Sequence, residues 1–169
     1  MQQFAALIKR HHQDLVESSM EALLISPWSS SHPLEIDPAR QLFSNILTHL
    51  VLDIRQSATR RPGHHLTDYA LQLYQKKPHL RQDLHTQLLL LGISRIVVNH
   101  FLIRHNAQHN DPDFAARFES LQRLYDTTLI SLSHFWGEQY HTLHAGDQNL
   151  IRELKIVKDG LQRQLNLIY

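Results

Sequence analysis

The chain contains no cysteine, and this absence removes whole classes of chemistry. Disulfides, thiol catalysis, iron–sulfur clusters and cysteine-ligated zinc sites are all excluded. Glycine and proline are also scarce, with five and six residues in a chain of 169. Accordingly, the sequence contains no phosphate-binding P-loop, no Rossmann glycine run and no Gly-x-Ser-x-Gly nucleophile turn. The common motifs of nucleotide binding and ester hydrolysis are therefore missing.

The sequence also lacks an excess of positive or negative charge and a long apolar run. Seventeen Lys and Arg residues face sixteen Asp and Glu residues, so the formal charge is +1 and no basic footprint of a nucleic-acid-binding protein exists. The longest apolar run, Leu88–Ile93, is far shorter than the ~20 residues of a membrane span. The N-terminus does not follow the order of a secretory signal. We therefore expect a cytoplasmic protein without nucleic-acid or membrane partners.

Apolar residues recur with a helical period along the first half of the chain. This pattern predicts one helix over residues 4–25 and a second that begins at Asp37 and Pro38, as N-cap and first helical residue. A shorter helix follows, with its apolar face between Leu66 and Tyr74. No segment alternates with the period of a strand, and no Asn-Gly or Asp-Gly hairpin turn occurs.

The second half of the chain carries two longer helical patterns. The first runs from about Pro78 to Asn106 and is apolar nearly all round, so we expect it to be the most buried helix. Gly92 lies in its middle, which is best tolerated where another helix crosses closely. The last pattern begins after a cap at Asn110–Asp113 and continues almost to the end. The whole sequence thus predicts an all-α bundle.

The C-terminal segment has a narrower apolar pattern than the rest. Its apolar positions alternate spacings of four and three over about two heptads, with charged residues between them. The seam consists of Leu150, Leu154, Val157, Leu161, Gln164 and Ile168. This pattern predicts a parallel two-stranded coiled coil in a homodimer, with Gln164 as a polar register residue. The alternative is a last helix that packs on its own domain.

The segment also defines a domain division. Ala145 and Gly146 interrupt the preceding pattern, so we divide the chain into a helical domain at 1–145 and a helical linker at 146–169. Leu167–Tyr169 is apolar up to the last residue, whereas domain ends usually become polar. We therefore expect a further domain to follow in the full-length chain.

Histidine is unusually frequent, with fourteen residues. His141 and His144 share one helical face and are candidate ligands of a divalent metal. His85 and His100 lie on the most apolar helix, where they are candidate axial ligands of a haem and the histidines expected to be buried in neutral form. No HExxH motif accompanies them, and the alternative for every pair is an ordinary solvated or hydrogen-bonded histidine. Acidic residues lie mostly on polar helix faces, so the sequence indicates no catalytic acid–base pair.

Three segments carry a resemblance to a known family. They are FAALIKRHHQDLVESSMEALL near the N-terminus, HLRQDLHTQLLLLGISRIVVNHFL in the centre, and SLSHFWGEQYHTLHAGDQNLIRELKIVKDGLQRQL near the end. In helix pattern and layout they resemble the N-terminal sensor domains of the stressosome RsbR type, which are globin-like bundles without haem. Similar domains stand at the front of bacterial histidine kinases and diguanylate cyclases, and their last helix continues into the output domain.

The resemblance implies a dimeric sensory input domain with no catalytic activity and no cofactor of its own. Residues 1–145 are then the sensor domain, and residues 146–169 are the signalling helix to a C-terminal output domain. The alternative is a helical sensor that binds haem or a metal through histidine ligands. The resemblance assigns no functional residue by position.

Overall fold

The computed structural model describes residues 1–26, 36–56, 63–76 and 84–143. Six helices account for nearly all of these residues, and none of the described residues is in a strand, which confirms the all-α fold class. The helices are α1 (Gln2–Arg10), α2 (His12–Ile25), α3 (Ile36–Gln56), α4 (His64–Lys76), α5 (Leu84–His109) and α6 (Phe114–Leu143).

Helix α3 is the centre of the bundle. It packs against α1, α2, α4 and α5, and α2 also packs against α5. The inward stripe of α3 repeats with helical spacing and contains Phe43, Leu47, Leu50 and Ile54, all without solvent exposure. Each large apolar side chain buried in this way stabilises the fold by ~1.5–3 kcal/mol before the entropy cost of ordering it. The α3 stripe therefore holds the first four helices together.

The N-terminal pattern forms two helices rather than one. His11 has φ −103° and ψ 24°, which interrupts the helix between α1 and α2. Its ring packs against the ring of Phe101 on α5, with centroids 5.0 Å apart. Neither proline nor glycine marks this break in the sequence, so the prediction of one continuous helix was wrong. The helices on both sides of the break, α1 and α2, pack against α3.

Helix α5 is less buried than its composition predicts. Ile96 and Ile103 are 53% and 49% exposed, and His100 is exposed on the same stripe. Packing against α2 and α3 uses only the other side of the helix. The expectation that His100 is buried was therefore wrong. A Cβ atom at Gly92 would meet no atom within 4 Å among the described residues, so the expected close helix crossing is absent there.

The segment Gln87–His109 of α5 is also long and apolar enough to cross a membrane by length and composition alone. Half of its most apolar window is buried inside the protein, and a core helix of a soluble protein meets the same criteria. It is the one such segment among the residues that the structure describes.

The chain divides into two compact units, Met1–Leu129 and Ile130–Tyr169. The first unit contains α1 to α5 and the first part of α6. Of the second unit the structure describes the remainder of α6, where the rings of Phe135 and Trp136 lie edge to face, 6.1 Å apart. The predicted boundary after residue 145 falls outside the described residues.

Candidate functional site

A cavity of about 470 Å³ opens in the first unit, between α1, the C-terminal part of α5 and the beginning of α6. This volume lies within the range of small-molecule sites, about 300–1,000 Å³. Its lining combines an apolar floor with polar side chains at the rim. The lining residues are Gln3, Phe4, Ala6, Leu7, Arg10, Leu102, His105, Asn106, His109, Asp111 and Phe114.

The apolar floor is preformed by packed side chains. Phe4 and Leu102 are 3% and 1% exposed, so they are part of the core as well as of the cavity wall. The rings of Phe4 and Phe114 lie 5.7 Å apart at an angle of 58°. Because these groups are fixed by the surrounding helices, the cavity needs little rearrangement to receive an apolar group.

Two histidines form one side of the rim. His105 and His109 are one turn apart on α5, and their rings stack with centroids 4.0 Å apart. The Nδ1 of His109 lies 2.8 Å from the carbonyl oxygen of His105. A carbonyl only accepts, so Nδ1 carries the proton and donates, and Nε2 is left as the free nitrogen of that ring. The ring of Phe101 lies 6.4 Å from that of His105.

The rim near these histidines is electropositive. Partial burial lowers the pKa of His105 from its usual value, and the neighbouring His109, His11 and Arg10 lower it further. Arg10 is exposed, and none of the described residues forms a hydrogen bond or ion pair with its side chain. A permanent positive charge therefore stands beside a histidine that is hard to protonate.

Arg117 of α6 contacts two residues of the cavity lining, Gln3 and Asp111. Its guanidinium donates to the carboxylates of Asp111 and Asp113 and to the side-chain oxygen of Gln3. The N-terminal amine of Met1 has its pKa lowered by partial burial and by Arg117, while Asp111 and Asp113 act in the opposite sense. Arg117 thus joins α6 to α1 and to the turn between α5 and α6.

Behind the cavity, α5 and α6 are joined by a buried polar network. Gln122 accepts from Nε of Arg95 at 2.8 Å and exchanges two hydrogen bonds with Asn99. Arg95 also donates to Asp126 at 2.8 Å, while its Nη2 is buried without a partner in the described part of the chain. The fully buried Tyr125 hydroxyl lies 3.4 Å from that of Ser94, and burial raises its pKa.

The structure places none of the site residues predicted from the sequence in the lining of this cavity. His100 is exposed, away from the cavity, and His85 belongs to α5 but its side chain is outside the described part. The same holds for the side chain of His141 in α6, and His144 lies outside the described residues altogether. So do all six seam positions, Leu150, Leu154, Val157, Leu161, Gln164 and Ile168. The metal, haem and coiled-coil predictions at these positions remain predictions.

Sequence analysis missed Arg10 and the polar network, although the pairs of histidines were visible as spacings. Among the described residues, no group of three or more His, Asp or Glu side chains is close enough to hold a metal ion. The arrangement at the cavity is instead that of a binding site, with an apolar floor and a few placed polar groups. No protein-family model, curated protein or solved structure matches this chain.

Proposed function

We propose that the chain is a non-catalytic sensory input domain of a bacterial signalling protein of the histidine kinase or diguanylate cyclase type. In this proposal it acts in the cytoplasm as a homodimer, without a haem or metal cofactor. A ligand in the cavity alters α6, and the C-terminal helix carries the change to an output domain. The resemblance in helix layout described above supports the same conclusion.

The observation that carries the proposal is the position of the first turn of α6. Phe114 lines the cavity, and Arg117, one turn later, ties the helix to Asp111 and Gln3 at the rim. A ligand that displaces or tightens these contacts acts directly on the beginning of α6. The same helix continues without a break to Leu143, which precedes the C-terminal segment.

The α5–α6 network supports a change between two arrangements. Polar partners in a low-dielectric interior make strong contacts when they are satisfied and costly gaps when they are not. The Nη2 donor of Arg95 has no acceptor in the described part of the chain, and it provides an additional hydrogen bond for a second position of α6. A bistable packed element of this kind transmits a signal without any reactive group.

The test uses the complete protein encoded by the gene. We expect an output domain after Tyr169, and we expect Arg117→Gln to change the output activity or its response to stimulus by several-fold. Arg123→Gln is the matched control, because Arg123 is an exposed residue of the same helix whose one ion pair among the described residues is with Glu119, one turn away. The proposal would be contradicted if Arg117→Gln gave the same output and the same response as the wild type and the control. It would also be contradicted if a protein lacking residues 1–143 kept the output and response of the wild type.

The histidine-ligand alternative has its own measurement. A visible absorption spectrum and elemental analysis of the purified protein distinguish the two hypotheses. We expect no haem band and no stoichiometric metal. A Soret band, or one metal ion per chain, would replace the proposed cofactor-free domain by a haem or metal sensor.

A further inference from the structure

Two amide side chains of the cavity use their oxygen atoms in hydrogen bonds within the protein. The side-chain oxygen of Asn106 accepts from the backbone N–H of Asp111 at 3.0 Å, and that of Gln3 accepts from Arg117. Backbone N–H and guanidinium groups can only donate, so these contacts fix the orientation of both amides. The amide NH₂ groups of Asn106 and Gln3 therefore remain as the available donors.

The one carboxylate in the cavity wall is neutralised. Asp111 pairs with Arg117, and its second oxygen accepts from the backbone N–H of Asp113 at 3.0 Å. On the opposite side, Arg10 offers a guanidinium without an acidic partner in the described residues. The acceptor oxygens of Asn106, Gln3 and Asp111 are thus engaged within the protein, whereas the amide donors and the positive charge of Arg10 belong to the cavity lining.

We propose that this cavity binds an organic anion with an apolar body, and that this anion is the signal of the domain. The apolar body packs on Phe4, Leu102 and Phe114. The anionic group, a carboxylate in the simplest case, is held by the guanidinium of Arg10 and the amide NH₂ of Asn106. A guanidinium presents its N–H groups in a planar fork that matches a carboxylate and forms charge-assisted hydrogen bonds.

The alternatives fit the cavity less well. A cation would face Arg10 and two histidines, with Asp111 already paired. A neutral apolar molecule would leave the donors of Arg10 and Asn106 covered and without partners, which costs binding free energy. An inorganic anion would use the rim but would leave the apolar floor exposed to water. An organic anion with an apolar body fills the apolar floor and also provides acceptors for the donors at the rim.

Binding of an anion also acts on His105. The groups that face it are Arg10 from α1, His11 from the α1–α2 junction and His109 from its own helix, with Asp111 across the cavity already paired to Arg117. A bound anion offsets the positive charge of Arg10 and so raises the pKa of His105. Binding therefore takes up protons, and affinity increases as the pH falls from about 7.5 to about 6.

The experiment measures binding of octanoate and 1-naphthoate to the purified chain by calorimetry and by NMR of the cavity residues. Octanamide serves as the uncharged counterpart. We expect saturable binding of one carboxylate per chain, with octanamide at least about tenfold weaker, the factor typical of one charge-assisted hydrogen bond. Arg10→Gln should weaken carboxylate binding by about tenfold and leave octanamide binding unchanged.

Two control variants make the result specific. Arg104→Gln removes an exposed arginine of α5 that does not line the cavity, and it should retain full affinity. Ala6→Phe fills the mouth of the cavity from an exposed position and should abolish binding of both carboxylates while the melting temperature stays near that of the wild type. His105→Gln should remove most of the increase in affinity at lower pH.

The outcomes separate this inference from the proposed function, on which it rests only in naming the anion as the signal. Equal binding of octanoate and octanamide, an unaffected Arg10→Gln variant, or no binding of either carboxylate would overturn the anion site and leave the input-domain proposal standing. Carboxylate binding as described, without any change in the output of the complete protein, would leave the anion site standing and overturn its role as signal.

Discussion

At the scale of single residues, Gly63 is the one of the three described glycines where a side chain conflicts with the fold. Its φ of +75° lies in the left-handed region, and a Cβ atom would stand 2.6 Å from the hydroxyl of Thr128 and 3.0 Å from the carbonyl of Leu124. This glycine directly precedes α4 and lies against Leu124 and Thr128 of α6. Both the backbone angle and the close approach exclude larger residues.

We predict opposite effects of alanine at two glycines. Gly63→Ala should lower the free energy of unfolding by at least about 1–2 kcal/mol, because the left-handed conformation and the contact with Thr128 are both penalised. Gly92→Ala should raise it by about 0.5–1 kcal/mol, because α5 gains helix propensity where open space surrounds a Cβ. Urea unfolding measures the change in the free energy of unfolding for both variants. Changes of the same sign and size would contradict the prediction.

A second residue-scale feature is a histidine held in its neutral form. His49 stacks on the ring of Tyr69 at 4.6 Å, and its Nδ1 is buried without a partner in the described residues. Burial lowers the pKa of His49, and His65 lowers it further, whereas Asp53 and Asp68 act in the opposite sense. The unfolded chain therefore binds this proton more readily than the folded chain does.

We predict that stability declines in mild acid because of this histidine. Since the folded pKa lies below the unfolded value of about 6.5, stability is complete above about pH 6.5 and falls as the pH drops through that value. His49→Phe keeps the stacked ring and should reduce the decline in melting temperature between about pH 7.5 and pH 5.5. His105, whose pKa is also lowered, maintains part of the decline. The exposed control His100→Gln should not change it, and an unchanged slope in His49→Phe would contradict the assignment.

At the scale of elements, the beginning of α4 depends on a side chain from α3. The carboxylate of Asp53 accepts from the backbone N–H groups of His65 and Leu66 at 2.8 and 2.9 Å. These two N–H groups belong to the first turn of α4, where no partner exists within the helix. Asp53 is 3% exposed, so the pair of bonds is a buried, charge-assisted cap between two helices.

We predict that Asp53→Ala destabilises the protein by about 1–3 kcal/mol, because two buried donors lose their acceptor. Hydrogen exchange should show the loss first in the amides of the first turn of α4. Asp68→Ala is the matched control, since Asp68 is half-exposed and, within the part of the chain that the structure describes, forms its ion pair with His64 one turn away. If Asp53→Ala and Asp68→Ala had the same melting temperature, water would have replaced the Asp53 carboxylate as the acceptor of the two N–H groups.

The helix ends illustrate what the sequence determines locally. The Asn110–Asp113 cap and the beginning of α3 lie within a few residues of their predicted positions, because proline and Asx residues act on the adjacent backbone. Asn110 has a φ of 49°, as expected at a helix C-terminus. The break at His11 was not predictable in this way, because no proline or glycine marks it and its ring contact is with Phe101 on a distant helix.

The candidate site shows the same limit. The spacing of His105 and His109 is visible in the sequence, since four residues make one turn. Their relation to Arg10 is not, because it depends on how α1 packs against a segment almost a hundred residues later. The contact between Arg95 and Gln122 also depends on helix packing that the sequence does not reveal. Their polarity predicts exposure, and only the pairing of α5 with α6 makes them buried partners.

At the scale of the whole molecule, the proposed function requires two copies of the chain. Two surfaces provide a place for the second copy. One is the predicted seam from Leu150 to Ile168, which comes from the sequence alone. The other is the exposed stripe of α5 with Ile96 and Ile103, whose spacing of seven residues places both on the same side of the helix.

We predict a dimer in sedimentation equilibrium that depends on the seam. Leu154→Asp combined with Leu161→Asp should raise the dissociation constant more than about 100-fold, because charges at seam positions lose solvation in a closed coiled coil. Asn149→Asp with Gln162→Asp adds the same charge outside the seam and should leave the dimer intact. If the seam variant stays dimeric while Ile96→Glu with Ile103→Glu becomes monomeric, the interface is the α5 stripe and the coiled-coil prediction is wrong. A monomeric wild type would contradict both interfaces and, with them, the transmission of a signal between paired helices.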